Sequence, residues 1–188
     1  MILMKKSNHR KVWITTGYNL FAEEGHEGIQ IERLSRITGL NKSGFYHYFG
    51  DVHEFLKTLV QEHDLLVDEF ADQISGLDSY DPGFFNLMLR HKYVCFFHIQ
   101  LVRNRHVKFF IEGHDRNNMK IDPLVIPLFS KEIGLPLEVA IPYYEALRDT
   151  FLTRVDYRTM NYEFLHGLME QFKTMVPMIL NNESGNHK

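Results

Sequence analysis

The sequence has little of what marks secreted or membrane-spanning proteins. It contains one cysteine, Cys95, among 188 residues, so no disulfide can form within the chain, and this favours a reducing compartment. No apolar run approaches the roughly 20 residues that span a bilayer. The chain opens with four apolar residues followed by two lysines, which is the wrong order for a signal peptide. We therefore expect a cytoplasmic protein with no membrane partner.

Enzyme signatures are also missing from the sequence. There is no glycine-rich phosphate loop, no G-x-S-x-G and no H-E-x-x-H, so we expect neither an enzyme nor a cofactor. The net charge of −3 is unevenly distributed: residues 1–50 carry seven basic and four acidic side chains, and the remainder carries 14 and 20. A basic end on an acidic body is typical of a protein that binds a polyanion with one face.

What the sequence does contain is helical periodicity along its whole length. Apolar residues recur at spacings of three and four, and no bounded run of strict alternation predicts a strand. The 44% of hydrophobic residues are enough for a buried core. Breaks are expected at 113–118 and around Pro123 and Pro127. The pattern predicts an all-α protein with about nine helices, over residues 8–24, 30–38, 42–48, 51–75, 84–103, 105–113, 120–133, 136–156 and 159–181.

Residues 31–48 have the order short helix, glycine turn, short helix. Gly39 ends the first helix in a left-handed conformation, and Asn41 caps the second by accepting a hydrogen bond from the N–H of Gly44. This order is typical of a helix-turn-helix, whose second helix enters the major groove of DNA, although an ordinary helical hairpin gives the same pattern. The residues on the outward face that suit phosphates and base edges are Lys42, Ser43, Tyr46 and His47.

The residues in and around this motif are more specific than the motif itself. Phe21–Gly28, Gly39–Lys42 and Phe45–Phe49 closely resemble the N-terminal domain of the TetR family of transcriptional regulators, and the likeness covers about residues 10–56. The resemblance implies a three-helix DNA-binding domain at 1–50 and a larger helical ligand-binding and dimerisation domain at 51–188. The DNA contacts that it implies come from Gln30, Lys42, Ser43, Gly44, Tyr46, His47, Tyr48 and His53.

Besides Gly17 in place of the usual alanine and Ile29 in place of a capping threonine, three departures from the pattern of that family bear on DNA binding. Glu32 stands where a basic residue is common, and Gly44 replaces a residue that often contacts bases. Val52 stands where the fourth helix often presents a lysine to phosphate, a role that the neighbouring His53 can take. These departures leave a second interpretation open, in which the chain is a helical dimeric small-molecule-binding or scaffold protein with weak or lost DNA binding.

The last two predicted helices carry apolar stripes that are wider than one neighbouring helix can cover. In the resembling family these two helices pair with their copies in a homodimer, which sets the spacing of the two recognition helices on DNA. An entirely intramolecular core is the alternative. The residues predicted to form the dimer interface are Phe151, Phe164, Leu168, Phe172, Met175 and Ile179.

Between the DNA-binding segment and that interface, the chain is rich in aromatic residues and histidine around proline breaks. The resemblance implies a small-molecule pocket here, and the residues favour an apolar or aromatic effector. The predicted lining consists of Phe70, Tyr93, Phe97, His98, Phe109, Phe129, Tyr143 and Tyr144. The expected function is that of a ligand-responsive repressor, which the effector releases from a double-stranded DNA operator.

One histidine-rich cluster favours a second ligand type. His91, Cys95 and His98 are spaced by four and three residues, which places them on one helix face, and imidazole with thiolate suits zinc. His106 and His114 follow nearby. The aromatic neighbours favour the more common arrangement, a buried histidine bonded to a neighbouring group, so no metal is assigned.

Overall fold

A computed structural model describes residues 2–185 and the side chains of residues 8–175. Between residues 2 and 185 it contains helices and turns without a β-strand, and none of its helices combines the length and apolar character needed to cross a membrane. The all-α prediction is confirmed. The nine α-helices of this part are α1 (Ile2–Glu24), α2 (Ile31–Thr38), α3 (Lys42–Phe49), α4 (Val52–Ile74), α5 (Phe85–Arg90), α6 (Lys92–Arg103), α7 (Lys108–Ile133), α8 (Leu137–Arg154) and α9 (Tyr162–Gly185).

Two predicted helix boundaries are wrong. The single helix expected over 84–103 is interrupted at His91, whose backbone leaves the helical region (φ −106°, ψ 37°) and separates α5 from α6. The break expected at 113–118 is absent, because α7 runs through it. Gly113 does not end a helix here. A Cβ at Gly113 would lie 2.9 Å from Cγ1 of Val60, so the glycine allows α7 to approach α4 closely.

The prolines of the second half do not stop their helices. Pro123 and Pro127 lie inside α7, and Pro142 lies inside α8, so the irregular segment expected around the first two is wrong. Each proline removes one helical hydrogen bond. All three are exposed, and on an exposed face water can satisfy the carbonyl that has lost its partner.

The chain divides into two compact units. Unit 1 takes the chain as far as Phe70 together with Lys92–Met119, and unit 2 takes Ala71–His91 together with the chain from Lys120 onwards. The functional division expected at residue 50 stays a prediction, because these units are defined by packing alone.

The core of unit 1 is built on stacked aromatic rings. Phe97 of α6 is fully buried, and the rings of Tyr18 and Phe21, both on α1, each lie 4.3 Å from its centroid. The His63 ring of α4 stacks on it at 4.6 Å. Phe110 of α7 meets Phe21 edge to face at 5.3 Å. These contacts join α1, α4, α6 and α7 through one aromatic cluster.

Unit 2 has its own core around Phe129 of α7, which is fully buried. Its ring lies 5.4 Å from Tyr80, 5.6 Å from Tyr144 on α8 and 6.1 Å from Phe172 on α9. Burial raises the pKa of Tyr80 and that of Tyr144, so both phenols stay neutral at physiological pH. In this unit α7, α8 and α9 are therefore held together mainly by apolar and aromatic packing.

A polar cluster at Asp81 attaches α9 to the segment before α5. The Tyr162 hydroxyl donates to Oδ1 of Asp81 at 2.6 Å, and Nδ1 of His166 lies 2.6 Å from its Oδ2. The Asp81 side chain is 8% exposed. This hydrogen bond to Asp81 is the main cause that raises the pKa of His166, because the carboxylate stabilises the charged imidazolium.

Gly17 of α1 gives a test of the packing in unit 1. A Cβ there would lie 2.6 Å from Cε1 of the fully buried Phe55 ring. Gly17→Ala is expected to lower the free energy of unfolding by about 1–3 kcal/mol through overpacking, measured by urea denaturation. The control is Gly44→Ala, because a Cβ at Gly44 meets no heavy atom within 4 Å and alanine favours a helix by up to about 1 kcal/mol. Equal effects of the two substitutions would contradict the close approach of α1 to α4.

His166 gives a test of the Asp81 cluster. A histidine whose pKa is raised by folding adds stability that is fully present below its unfolded pKa of about 6.5 and is lost as pH rises through the folded value. As pH rises above about 6.5, the parent should therefore lose stability relative to His166→Ala, which lacks this contribution. The measurement is the urea midpoint between pH 5.5 and 9, with His106→Ala as control at an exposed position. An unchanged pH profile in His166→Ala would mean that the pair with Asp81 does not form in solution.

Candidate nucleic-acid interface

The predicted recognition helix α3 has well-defined ends. Gly39 (φ +69°) closes α2, and Gly50 (φ +77°) closes α3. Asn41 caps α3, but its side-chain oxygen accepts from the N–H of Ser43 at 2.9 Å, not from Gly44 as expected. The N–H of Gly44 donates to the main-chain carbonyl of Asn41 instead. The local sequence thus predicts the boundaries of the helix-turn-helix correctly and misplaces one hydrogen bond.

The inner face of α3 is clamped by aromatic rings from both neighbouring long helices. Phe45 is fully buried and meets the Trp13 ring of α1 edge to face at 5.4 Å and the Phe55 ring of α4 at 5.0 Å. Phe49 lies 4.7 Å from Phe55, and the Arg10 guanidinium of α1 covers its ring at 5.6 Å. Phe45 and Phe49 therefore anchor α3 in the core.

The outer face of α3 is exposed along its length. Tyr46 is 52% exposed, and Lys42, Ser43 and His47 are also exposed, while Tyr48 is half-buried. Side chains four positions apart lie above one another on a helix, so Ser43 and His47 share one side of this face and Lys42 and Tyr46 share the next. The face therefore presents one cation, two hydroxyls and an imidazole, all of which can donate hydrogen bonds.

Carboxylates pair with two of the cations near this face. Nζ of Lys42 lies 3.1 Å from Oε1 of Glu32 on α2, and this hydrogen bond is the main cause that lowers the pKa of Glu32. Arg33 donates through two guanidinium nitrogens to Glu24 of α1. Any phosphate that binds Lys42 must therefore compete with Glu32. The sequence marked Glu32 as a departure from the family pattern but did not predict this pair.

The remaining predicted DNA contacts flank α3. Gln30 is exposed and precedes α2 in an extended conformation (φ −120°, ψ 128°) without a side-chain cap, so the first N–H groups of α2 are not bonded by Gln30. Such N–H groups favour an anion. His53, near the start of α4, is exposed and meets the Phe109 ring edge to face at 5.2 Å. The half-buried Gly44 has open space around the position of a Cβ.

The predicted ligand-lining residues fall into both units. In unit 1, Phe70 and Phe97 are buried, whereas His98 and Phe109 are half-buried. Tyr93 is 36% exposed, and its hydroxyl donates to Glu23 of α1 at 2.9 Å. The Phe97 ring packs against those of Tyr18, Phe21 and His63, which is the environment of a core residue.

In unit 2, the other three predicted lining residues lie near one another. Phe129 and Tyr144 are buried with ring centroids 5.6 Å apart, and Tyr143 is half-buried with its ring 6.3 Å from that of Phe172. Tyr144 donates to Oδ1 of Asp122 at 3.2 Å, and Arg148 binds the other oxygen of this carboxylate at 2.9 Å.

The histidine and cysteine residues of the metal alternative have separate environments. His91 belongs to unit 2, where its Nε2 lies 3.1 Å from Oε1 of Gln73. Cys95 and His98 belong to unit 1. Burial raises the pKa of the Cys95 thiol to about 12, which disfavours the thiolate that zinc requires. Among the described residues, no group of three or more histidine, cysteine or acidic side chains is arranged to hold a metal ion.

A groove of about 550 Å³ lies along α8 and α9 in unit 2. Its walls include three predicted interface residues: Leu168 and Phe172, which are buried, and Met175, which is 51% exposed. Phe151 and Phe164 are half-buried, with ring centroids 6.5 Å apart. The side chain of Ile179 lies outside the described residues. The exposed apolar side chains at the start of α8 are Leu137, Val139 and Ile141.

An exposed, donor-rich helix behind a glycine turn, followed by a bundle of longer helices, defines a helix-turn-helix protein of the TetR/AcrR fold. The chain matches the crystal structure of a transcriptional regulator of the TetR/AcrR family from Aquifex aeolicus with a TM-score of 0.57 and 16% identity, over 90% of this chain and 98% of that one. No protein-family model matches the chain. The resemblance to the TetR family is confirmed at the level of the fold.

A curated relative extends this likeness to the sequence. The chain is 23% identical over 162 residues to the HTH-type transcriptional repressor AcnR of Corynebacterium glutamicum, covering 80% of this chain and 84% of that protein. Both relatives are transcriptional regulators by name, in agreement with the expectation that the chain is not an enzyme.

Proposed function

We propose that this protein is a homodimeric, sequence-specific DNA-binding repressor that an apolar or aromatic small molecule releases from its operator. The observation that carries DNA binding is α3, whose inner face is clamped by aromatic rings while Lys42, Ser43, Tyr46 and His47 stay exposed. A rigid base with an exposed row of donors is what a recognition helix needs in the major groove. Both relatives support a regulator, and the relative from Corynebacterium supports repression.

Substitutions of Lys42 and Glu32 should change the affinity for DNA in opposite directions. Lys42→Ala should weaken binding to every sequence and reduce the slope of log K against log salt by about one, as expected for one lost phosphate contact. Glu32→Gln should raise affinity by up to about fivefold, because Lys42 no longer has to leave an exposed ion pair. The measurement is a salt titration of binding to fragments selected from genomic DNA.

The control for Glu32 is Glu112→Gln, which removes an exposed carboxylate that pairs with Lys108 of α7 at 3.6 Å. It changes the net charge equally and should leave DNA affinity nearly unchanged. If the parent shows no sequence preference at any salt concentration, the repressor proposal fails and the scaffold interpretation gains support.

The groove on α8 and α9 supports the homodimer. Exposed large apolar side chains are costly to leave in water, and a contiguous apolar patch marks an interaction site. The patch lies on the two helices that the family resemblance assigns to dimerisation. Phe172 is 8% exposed within the single chain, so its substitution would disturb the core of unit 2 as well as any interface. Met175 is the cleaner probe, because half of its surface is already exposed.

Met175→Glu should weaken dimerisation at least tenfold without unfolding the chain, because an unpaired charge buried in an interface is costly. The control is Thr174→Glu, an exposed neighbour on α9 that does not line the groove. Sedimentation velocity over a concentration series measures the dimer, and thermal unfolding monitored by circular dichroism checks the fold. Parent-like dimerisation of Met175→Glu would place the interface elsewhere.

The aromatic residues of the predicted ligand set support an apolar or aromatic effector. Phe109 is the most suitable residue to alter, because it is half-buried and stands beside His53, one of the predicted DNA contacts. A ligand that releases DNA must bind the released conformation better, and a hundredfold preference corresponds to about 2.7 kcal/mol of coupling.

A panel of indole, naphthalene and medium-chain alcohols tests this class of effector. At least one compound should raise the melting temperature of the parent and lower its DNA affinity, and Phe109→Ala should reduce both responses. Zinc chloride serves as the comparison. A panel in which only zinc stabilises the protein would contradict the apolar effector, as would a panel in which nothing does.

A further inference from the structure

Three histidines from three helices meet in the interior of unit 1. His63 of α4 is fully buried, His114 of α7 is 7% exposed, and His98 of α6 is half-buried. The rings of His98 and His114 stack at 4.5 Å with an interplanar angle of 20°. Nε2 of His63 lies 3.5 Å from Nδ1 of His98. We call these three residues the histidine cluster. Parallel stacked rings cannot direct their nitrogens at a common metal ion.

One set of neutral tautomers satisfies the hydrogen bonds of the cluster. The Tyr18 hydroxyl of α1 lies 2.8 Å from Nδ1 of His63. When neutral His63 accepts from this hydroxyl, its Nε2 carries the proton and faces Nδ1 of His98 at 3.5 Å. Nε2 of His98 in turn donates to Oδ1 of Asn118 at 2.9 Å, and the Asn118 amide nitrogen lies 3.2 Å from Nε2 of His114. Every donor in this chain meets an acceptor when all three imidazoles are neutral.

The other ionisable groups on α1 and α6 that face the cluster keep their protons at physiological pH. Burial is the main cause that raises the pKa of Tyr18 well above its usual value, with Cys95 and Glu62 adding to it. Burial also raises the pKa of Cys95 to about 12. Both groups therefore stay neutral and leave the charge of the cluster to its imidazoles.

Two of the carboxylates of α4 and α7 around the cluster have hydrogen-bonding partners. Asp64 of α4 accepts from Arg116 at 2.6 Å and from Asn117 at 3.0 Å, both on α7. Asp115 lies 3.2 Å from Nδ1 of His114, and Glu62 of α4 is half-buried. Imidazole is the type of side chain in the cluster that ordinarily changes charge between about pH 5 and 8.

Acid disturbs this arrangement in two ways. A proton on Nδ1 of His63 turns the acceptor of the Tyr18 hydroxyl into a donor, so the buried hydrogen bond must reverse or break. Positive charges on both His98 and His114 would lie only 4.5 Å apart, where like charges repel. Proton binding thus changes the hydrogen bonds and the charge at the point where α1, α4, α6 and α7 meet.

The helices that hold the cluster also hold α3. α1 carries Tyr18 and also Trp13, which packs on Phe45 of α3. α4 carries His63 and also Phe55, which packs on the same ring. A change in how α1 meets α4 at the cluster is therefore transmitted to the base of the recognition helix within one packed unit.

We propose that His63, His98 and His114 form a proton-binding site that makes this protein respond to acid, with the protonated state binding DNA less tightly. The effect on DNA rests on the proposed repressor function, whereas proton binding itself does not. A variant of His98 leaves the exposed His47 and His53 unchanged, so its comparison with the parent isolates the contribution of the cluster.

The test compares DNA affinity at pH 7.5 and 5.5, at constant ionic strength, for the parent and for His98→Gln, which keeps a donor and an acceptor but cannot be charged. The parent should lose about tenfold relative to His98→Gln between the two pH values. His106→Gln, at an exposed position outside the cluster, should behave like the parent. An identical pH ratio in the parent and His98→Gln would overturn the proposal.

A second measurement needs no DNA. Groups that are neutral in the folded state and charged in the unfolded state lower stability as pH falls. Between pH 7.5 and 5.5, the urea midpoint of the parent should therefore fall relative to that of His63→Asn, which can still accept from Tyr18. If the parent binds no DNA at pH 7.5, the repressor function fails, while this measurement still decides proton binding. An equal fall in both proteins would overturn the histidine cluster as a proton site.

Discussion

The burial of Phe45 between Trp13 and Phe55 is the contact on which the rest of the structure depends. α3 has eight residues, and a helix of that length is not stable alone in water. Its helical state relies on the caps at Asn41 and Gly50 and on the two edge-to-face contacts of Phe45. Because those rings come from α1 and α4, the orientation of the exposed face of α3 is decided by how these two long helices pack.

The same two helices meet again at a second contact of different chemistry. Around Phe45 they are joined by apolar rings, which do not change with solution conditions. Around His63 they are joined by a hydrogen bond from Tyr18, whose direction depends on the protonation of one imidazole. Apolar packing thus keeps α3 folded, whereas the hydrogen bond between Tyr18 and His63 depends on the protonation state of His63. The ring of Phe97 stacks on both Tyr18 and His63 at this second contact.

The electrostatics of the proposed DNA-binding surface favour moderate affinity per subunit. Lys42 and Arg33 are already paired with carboxylates, so part of the Coulombic gain from a phosphate would be used to replace an existing partner. The proposed homodimer would compensate, because two weak contacts at fixed spacing bind far more tightly than one. The apolar groove on α8 and α9 is the surface proposed for that assembly.

The sequence by itself determined the features that depend on residues a few positions apart. Helical periodicity, the left-handed turn at Gly39, the cap at Asn41 and the outward row from Lys42 to His47 all follow from local spacing. Tertiary structure alone decided the rest. From the sequence alone Gly113 predicts the end of a helix, but in the structure it lies against Val60. Glu32 is a surface charge in the sequence, but in the structure it pairs with Lys42. His63 continues the spacing of Phe55 and Leu59 toward the core, yet its partners Tyr18 and His98 lie 45 and 35 residues away. Local patterns place a side chain on a face, but only packing decides what that face meets.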